Sequence, residues 1–390
     1  MLLRGPVAQR AVEPALAGGA LIVIAYGVSE RLLPGILHFA RSVSAQGRLE
    51  QPLTYWNAMG ELAALGFVLS ARVAGDVARP RPLRALAAAA SVPLGLGLYL
   101  SFSRGALFAG AAGLLTLAVA ARQRAQLEGI LVAILGGGLA AAAAAPFGGV
   151  TSLTGSLATR ERQGGILLAL LIVIAAAAAG AAWWRSRRAS QARLTLPRHA
   201  GWIAAAVICA GLALAIVVGS HESSRAPLSG GAARYATLES NRYAYWGVAF
   251  RAFAAEPIRG VGAGGWAVWW LRYRKIDDFA QDAHSLPLQT LAELGLVGIA
   301  CLVAFFAGVG LAGLSAQRAS PALAAGPIAG FITYAAHAPL DWDWQMPAVT
   351  LVAIVLAGAL LAQAQPATRA TGTARARRRS LNLRAGRSTR

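Results

Sequence analysis

Ten stretches of this chain are each apolar over about the thickness of a lipid bilayer, and this property decides what the chain can fold into. They run Ala15–Pro34, Thr54–Ala74, Ala85–Phe102, Gly105–Ala121, Glu128–Phe147, Gly165–Trp184, Ala200–Ser220, Leu288–Leu314, Pro321–Leu340 and Pro347–Ala362. A helix needs about 20 mostly apolar residues to cross the hydrocarbon core. Composition agrees: 57% of the 390 residues are hydrophobic and 13% charged, against about a quarter charged in soluble domains. The expected fold is an all-α polytopic membrane protein of ten transmembrane helices with one large extracytoplasmic loop. The third and fourth stretches form a tight hairpin around "SFSRGAL". Many of the ten are rich in alanine and glycine, which lets neighbouring backbones approach closely.

The formal net charge of +20 would suggest nucleic acid in a soluble protein. Here its distribution matters more. With the N-terminus inside, the cytoplasmic segments are richer in arginine than the short outer loops, as the positive-inside rule requires. The basic tail "RARRRSLNLRAGR" within 365–390 is expected to be a disordered cytoplasmic segment touching anionic lipid head groups, not a nucleic-acid-binding element. Residues 1–364 form the transmembrane domain. The basic start "MLLRGPVAQR" before an apolar run resembles a signal peptide, but nine further spans and no small-residue cleavage site favour a retained first helix. Cys209 and Cys301 fall inside spans and read as small apolar packing residues.

Between the seventh and eighth spans lies a long polar stretch, 221–287, the large outer loop. It contains "TLESNRYAYWGVAFRAFAAEP", in which Tyr245, Trp246, Ala249, Phe250 and Phe253 share a helical face. That pattern predicts an amphipathic helix at the interface with its apolar side toward the bilayer. Seven of the ten tryptophans (Trp56, Trp246, Trp266, Trp269, Trp270, Trp342, Trp344) fall in outer segments. The aromatic belt of membrane proteins accounts for most of them; Trp269 and Trp270 are candidates for stacking on sugar rings. The glycine run "RGVGAGGW" contains a literal G-x-G-x-x-G, yet no strand precedes it, so it is not a dinucleotide site. It reads as a turn that lets the backbone come close to something.

His284 follows in "QDAHSLPLQTLAELGLVG". Ser285 is a suitable N-cap and Pro287 suits the first helical turn, which places the histidine just outside a helix N-terminus at the membrane–water boundary. Ser285, Gln289 and Glu293 recur every four residues as a polar stripe, and polar groups within a span face a bundle interior or a wet cavity. A helix N-terminus disfavours imidazolium, so the ring is expected to be neutral near pH 7 and available as a base; it also favours anions. Arg104 sits at the outer turn of the hairpin and Arg242 on the loop helix, either of which can snorkel or bind an anion. Together these groups suit an anionic, lipid-borne substrate. In "YAAHAPLDWDWQMP", Tyr334, His337 and Asp341 follow at i, i+3 and i+7 of the ninth span's outer end, as helix-packing contacts or as a site wall.

These residues resemble the O-antigen ligase/polymerase family of bacterial envelope glycosyltransferases. Its pattern is His, then Asn, Ser or Gln, nine residues, Gly, two residues and a small residue. Here that is His284, Ser285, Gly295 and Gly298. "YWNAMGELAALG", "SFSRGALFAG" and "NRYAYWGVAFRAFAAEPIRGVGAGGW" are similar to other blocks of the family, from about Gln51 to Ala362. The resemblance implies a GT-C-like bundle in the bacterial plasma membrane, with both termini cytoplasmic. It also implies an inverting transfer, without metal or other cofactor, of a glycan from a polyprenyl pyrophosphate to a lipid, glycan or protein hydroxyl at the outer face. It assigns His284 as general base and Arg242 and Arg104 as the arginines that hold the pyrophosphate. Ser285, Gln289, Glu293, His337, Asp341, Trp269 and Trp270 are candidates for the site wall. The chain departs from the family in having fewer spans before "YWNAMG" and an additional pair, Gly165–Trp184 and Ala200–Ser220, between hairpin and loop.

The same motifs serve ligases, polysaccharide polymerases and protein O-glycosyltransferases. A reading from another class is a transporter or flippase, because Glu61 and Glu293 can also line a pathway. The sequence shows no internal repeat, and its polar groups concentrate at the outer face.

Overall fold

A computed structural model describes residues 6–188, 197, 199–221 and 241–364. The helices are α1 (Pro6–Leu32), α2 (Trp56–Gly75), α3 (Arg81–Leu100), α4 (Arg104–Ala121), α5 (Arg124–Ala144), the single turn α6 (Gly148–Thr151), α7 (Leu157–Arg187), α8 (Ala200–His221), α9 (Arg242–Ala255), α10 (Gly265–Tyr273), α11 (Leu286–Ala319), α12 (Pro321–His337) and α13 (Pro347–Ala364). No strand occurs among the described residues. Each of the ten apolar stretches is helical. Eight of these helices are long and apolar enough to cross a membrane: α1 to α5, α7, α11 and α13. Of the other two, α12 has 17 residues, and α8 is apolar over Ala200–Gly211. The tail 365–390 and the loop segment 222–240 lie outside the described residues.

Helix α2 is the axis of the bundle: apart from Trp56 at its start, its residues from Asn57 to Gly75 are buried, and α1, α3, α4, α5 and α12 pack around it. Small residues set the spacing. A Cβ on Gly95 of α3 would lie 2.4 Å from Gly137 Cα of α5, and one on Gly129 of α5 would lie 2.6 Å from Gly75 of α2. Such contacts replace the missing hydrophobic drive between helices in lipid with close van der Waals packing.

Polar groups inside the bundle gather at its two ends. At one end Glu13 pairs with Arg72 at 3.5 Å and Arg79 at 2.8 Å, and Arg72 reaches Asp76 at 3.1 Å. Gln126 of α5 accepts from Arg72 at 2.9 Å and donates to the Ala71 carbonyl at 2.9 Å, so α1, α2 and α5 are tied together. The opposite end, the loop face, carries the starts of α2, α4, α9 and α11, the α9–α10 unit and the α12–α13 connection.

The α9 helix does not turn its apolar side outward as the sequence pattern suggests. Tyr245, Trp246, Val248, Ala249 and Ala252 are buried in a cluster with Trp266, Trp270, Ala283 and Ala292, while Phe250 is exposed. Periodicity located an apolar face but not its partner, which is protein.

Helix α11 breaks at Gly295, where φ is 60° and ψ is −152°. A break inside a spanning helix frees backbone groups that lipid cannot satisfy. The glycine-rich α9–α10 loop takes them up. Val261 N–H donates to the Ala292 carbonyl at 2.9 Å and Gly262 N–H to the Glu293 carbonyl at 3.0 Å, while Leu296 N–H donates to Pro257 at 2.9 Å. The approach is so close that a Cβ on Gly260 would lie 2.3 Å from the Glu293 carbonyl carbon, and one on Gly295 would lie 2.5 Å from the Ile258 oxygen. Gly295 occupies backbone space essentially reserved for glycine, where another residue costs about 1–3 kcal/mol before any clash. Gly295→Ala is therefore expected to lower the thermal midpoint of the solubilised protein. Gly138→Ala, with nothing within 4 Å, should leave it unchanged. Equal midpoints for the two variants would contradict this account of the break.

Candidate functional site

His284 stands one residue ahead of the α11 N-cap, Ser285, with a left-handed φ of 51°. Ser285 has the extended backbone of an N-cap, but its side chain makes no capping hydrogen bond. Pro287 falls in the first turn, as expected. The His284 Nδ1 lies 2.9 Å from the Asp282 carbonyl. A carbonyl only accepts, so Nδ1 carries the proton and the neutral ring keeps its lone pair on Nε2. The ring packs at 4.9 Å from the Tyr245 ring and 6.4 Å from Trp342. Burial lowers the His284 pKa below the ordinary imidazole value; Asp341 opposes this and Arg242 reinforces it.

Arg242, the first residue of α9, forms an ion pair with Asp341. The Asp341 carboxylate also accepts from the Tyr55 hydroxyl at 2.6 Å and the Trp342 N–H at 2.8 Å, and Asn57 donates to Tyr55 Oη at 2.9 Å. Burial pushes the Asp341 carboxyl up, but Arg242, with His284 and His337 beside it, outweighs burial and holds it below the usual carboxylate value. One carboxylate thus joins the start of α9, the start of α2 and the connection after α12. The Arg242 side chain remains 21% exposed against 1% for Asp341. Arg48 lies close by, stacked over Trp56 at 3.8 Å and bonded to the Ala45 and Ser44 carbonyls. Burial lowers its pKa to about 10, with Arg242, Glu50 and Asp341 among its charged neighbours.

His337 is buried at the end of α12, with Nδ1 3.1 Å from Asp343 and 4.0 Å from Glu61 of α2. Its partners are thus carboxylates of α2 and of the α12–α13 connection. Arg104 opens α4 at the same face; a Cβ on the next residue, Gly105, would lie 3.0 Å from His337 Nε2. The hairpin therefore abuts the end of α12.

The polar stripe of α11 faces a cleft of about 470 Å³ whose walls include Gly264, Ala267, Gln281, Asp282, Gln289, Glu293, Trp344 and Gln345. Gln289 donates to Asp282 at 3.1 Å and accepts from Ala283 N–H at 3.2 Å; Gln345 donates to Asp282 at 2.5 Å. Of the stripe, Gln289 and Glu293 line the cleft, whereas Ser285, 1% exposed, is not part of its wall. The tryptophan pair divides. Trp270 is 0% exposed, stacked with Trp266 at 5.6 Å and donating to the Asp278 carbonyl at 2.9 Å, so its ring offers no face to a sugar. Trp269 is partly exposed and packs against Tyr273.

Sequence spacing missed Tyr55, Arg48, Asp282, Asp343 and Gln345. Tyr55 lies inside the "YWNAMG" block and Asp343 two residues beyond Asp341, so both were within reach of a closer reading. Asp282 and Gln345 meet only through the fold.

Residues 147–303 match the model of the O-Antigen ligase family. The chain carries an O-antigen ligase family domain. The matched range contains Arg242, His284, Gln289 and Glu293, whereas Arg104, His337 and Asp341 lie outside it. It also contains α7 and α8, the pair of helices that the sequence set apart as additional. No curated protein matches the chain. The family and the apolar helices make this an integral membrane protein with a glycosyltransferase-type function, which implies a lipid-linked glycan donor and an acceptor.

Replacing Asp341 by Asn leaves Arg242 largely buried without its ion partner. Breaking one side of a buried pair costs about 3 kcal/mol or more. Asp341→Asn should accordingly lower stability and transferase activity together, whereas an unchanged thermal midpoint would show that Arg242 does not depend on this carboxylate.

Proposed function

We propose that this protein transfers a glycan from a polyprenyl pyrophosphate to an acceptor hydroxyl at the outer face of the bacterial plasma membrane, by a metal-independent, inverting reaction. The observation that carries the reading is the pairing of a neutral, half-buried His284, its Nε2 lone pair available, with Arg242 on the adjoining helix start. His284 Nε2 takes the acceptor's proton as the oxygen attacks the anomeric carbon. The bond from that carbon to the pyrophosphate breaks, and its electron pair leaves with the polyprenyl pyrophosphate. Charge builds on the leaving group, where Arg242 and, from the hairpin, Arg104 supply fixed positive charge. The N-termini of α4, α9 and α11 open on the same face and favour an anion there. A positioned histidine contributes about 10²–10⁴-fold as a base.

The loop face is assigned to the outside, because the N-terminal arginines and the basic segment 365–390 then lie in the cytoplasm. Acceptors of the ligase, polymerase or protein O-glycosyltransferase kind all fit this chemistry. The break in α11 favours a transporter as second reading, since discontinuous helices line many transport sites. Here, however, backbone of the α9–α10 loop occupies the break, and a transported ligand would have to displace it.

Two kinetic outcomes test the transferase reading in reconstituted protein. The pKa of His284 lies below its ordinary value of about 6.5, so the base form persists through neutral pH. The rate should be flat there and fall only on the acid side of that value; a fall on raising pH through neutrality would contradict a neutral base. Arg242→Lys should lose about 10²-fold in rate, because a point charge does not replace a bidentate fork. A lysine variant as fast as the parent would remove Arg242 from the leaving-group site.

A further inference from the structure

The cleft beside His284 has the wrong charge for a pyrophosphate. Among the described residues its walls hold two carboxylates, Asp282 and Glu293, three amides, Gln281, Gln289 and Gln345, and the indole of Trp344, with no lysine or arginine. At about 470 Å³ it falls within the usual size range of small-ligand sites, about 300–1,000 Å³. Trp344 brings its indole to the cleft wall, and its Nε1 has no hydrogen-bond partner among the described residues. Asp282 ties the cleft to the proposed base: its carbonyl faces His284 Nδ1, while its carboxylate accepts from Gln289 and Gln345 at the cleft wall.

We infer that this cleft is a subsite for a sugar unit that carries no negative charge. The inference rests on the transferase reading for its placement and goes beyond it in naming the sugar class. Carboxylates accept from vicinal hydroxyls, amides both donate and accept, and an indole face suits the apolar face of a pyranose. An acidic sugar would meet two like charges along the cleft wall, which disfavours it electrostatically. His284 then divides the site into a cationic side at Arg242, for the pyrophosphate, and an acidic side for the sugar.

The test uses the full chain in nanodiscs and ligand-observed NMR titration with methyl β-N-acetylglucosaminide and methyl β-glucuronide. The parent should bind the neutral glycoside and bind the glucuronide at least about tenfold more weakly, the equivalent of one charged contact. Glu293→Gln should weaken the neutral probe and narrow the difference. Gln345→Lys, at an exposed position where misfolding is not at issue, should reverse the preference. Equal binding of the two probes by the parent, or neutral-probe binding unchanged in both variants, overturns the inference. Displacement of the probe by a polyprenyl-pyrophosphate-linked N-acetylglucosamine, but not by bare polyprenyl pyrophosphate, assigns the subsite to the donor's sugar. Displacement by neither assigns it to the acceptor. Because binding is read without turnover, a cleft that fails this test while transfer still depends on His284 overturns the subsite alone. A cleft that passes in a protein that transfers no glycan overturns the transferase reading alone, and normal transfer by His284→Ala removes that histidine as the base while the subsite stands.

Discussion

A spanning helix that stops being helical must pass its backbone hydrogen bonds to another part of the protein, and this constraint organises the loop face. At Gly295 the carbonyls of Ala292 and Glu293 and the N–H of Leu296 leave the α11 ladder and pair with Pro257, Val261 and Gly262. The helix that begins beside His284 is thereby joined to the segment that follows the Arg242 helix. Neither side tolerates a side chain: Gly260 and Gly295 each meet backbone of the other within 2.5 Å of where a Cβ would stand. The break thus ties the segment after α9 to α11 by main-chain contacts.

Around that joint the charges are sorted. Asp341 gathers Arg242, Tyr55 and the Trp342 N–H, so a buried carboxylate holds an arginine whose side chain stays partly exposed. Below it His337, Asp343 and Glu61 form a second buried cluster between α2 and the end of α12. Beyond the Asp282 carbonyl that meets His284, the carboxylates of Asp282 and Glu293 line a cleft. The histidine lies where the two fields meet, and burial keeps its ring in the form that can take a proton.

Much of this was legible in the sequence, and the exceptions share a cause. Thr54–Ala74 and Gly105–Ala121 differ from α2 and α4 by one or two residues, because a run of apolar residues in lipid has few alternatives to a helix. The glycine-rich "RGVGAGGW" was recognisable as a place of close backbone approach, though not as the partner of Gly295. Tyr245, Trp246 and Ala249 announced an apolar face, but a face does not name what covers it, and protein took the place expected of the bilayer. Trp270 looked like a stacking platform and is filled in on both sides. The arginine partner Asp341 was marked by spacing, whereas Asp282 and Gln345 come from separate connections, and only the fold brings them together.

The central claim is that His284 acts on a lipid-linked glycan at the outer face. It is tested most directly by the fate of that glycan in cells of three kinds: wild type, a deletion strain, and the deletion strain supplied with His284→Ala at wild-type level. The account predicts that both altered strains lose a surface glycan while its polyprenyl-linked precursor accumulates on the outer leaflet. Precursor held on the inner leaflet would mark a flippase, and full restoration by His284→Ala would show the histidine to be structural.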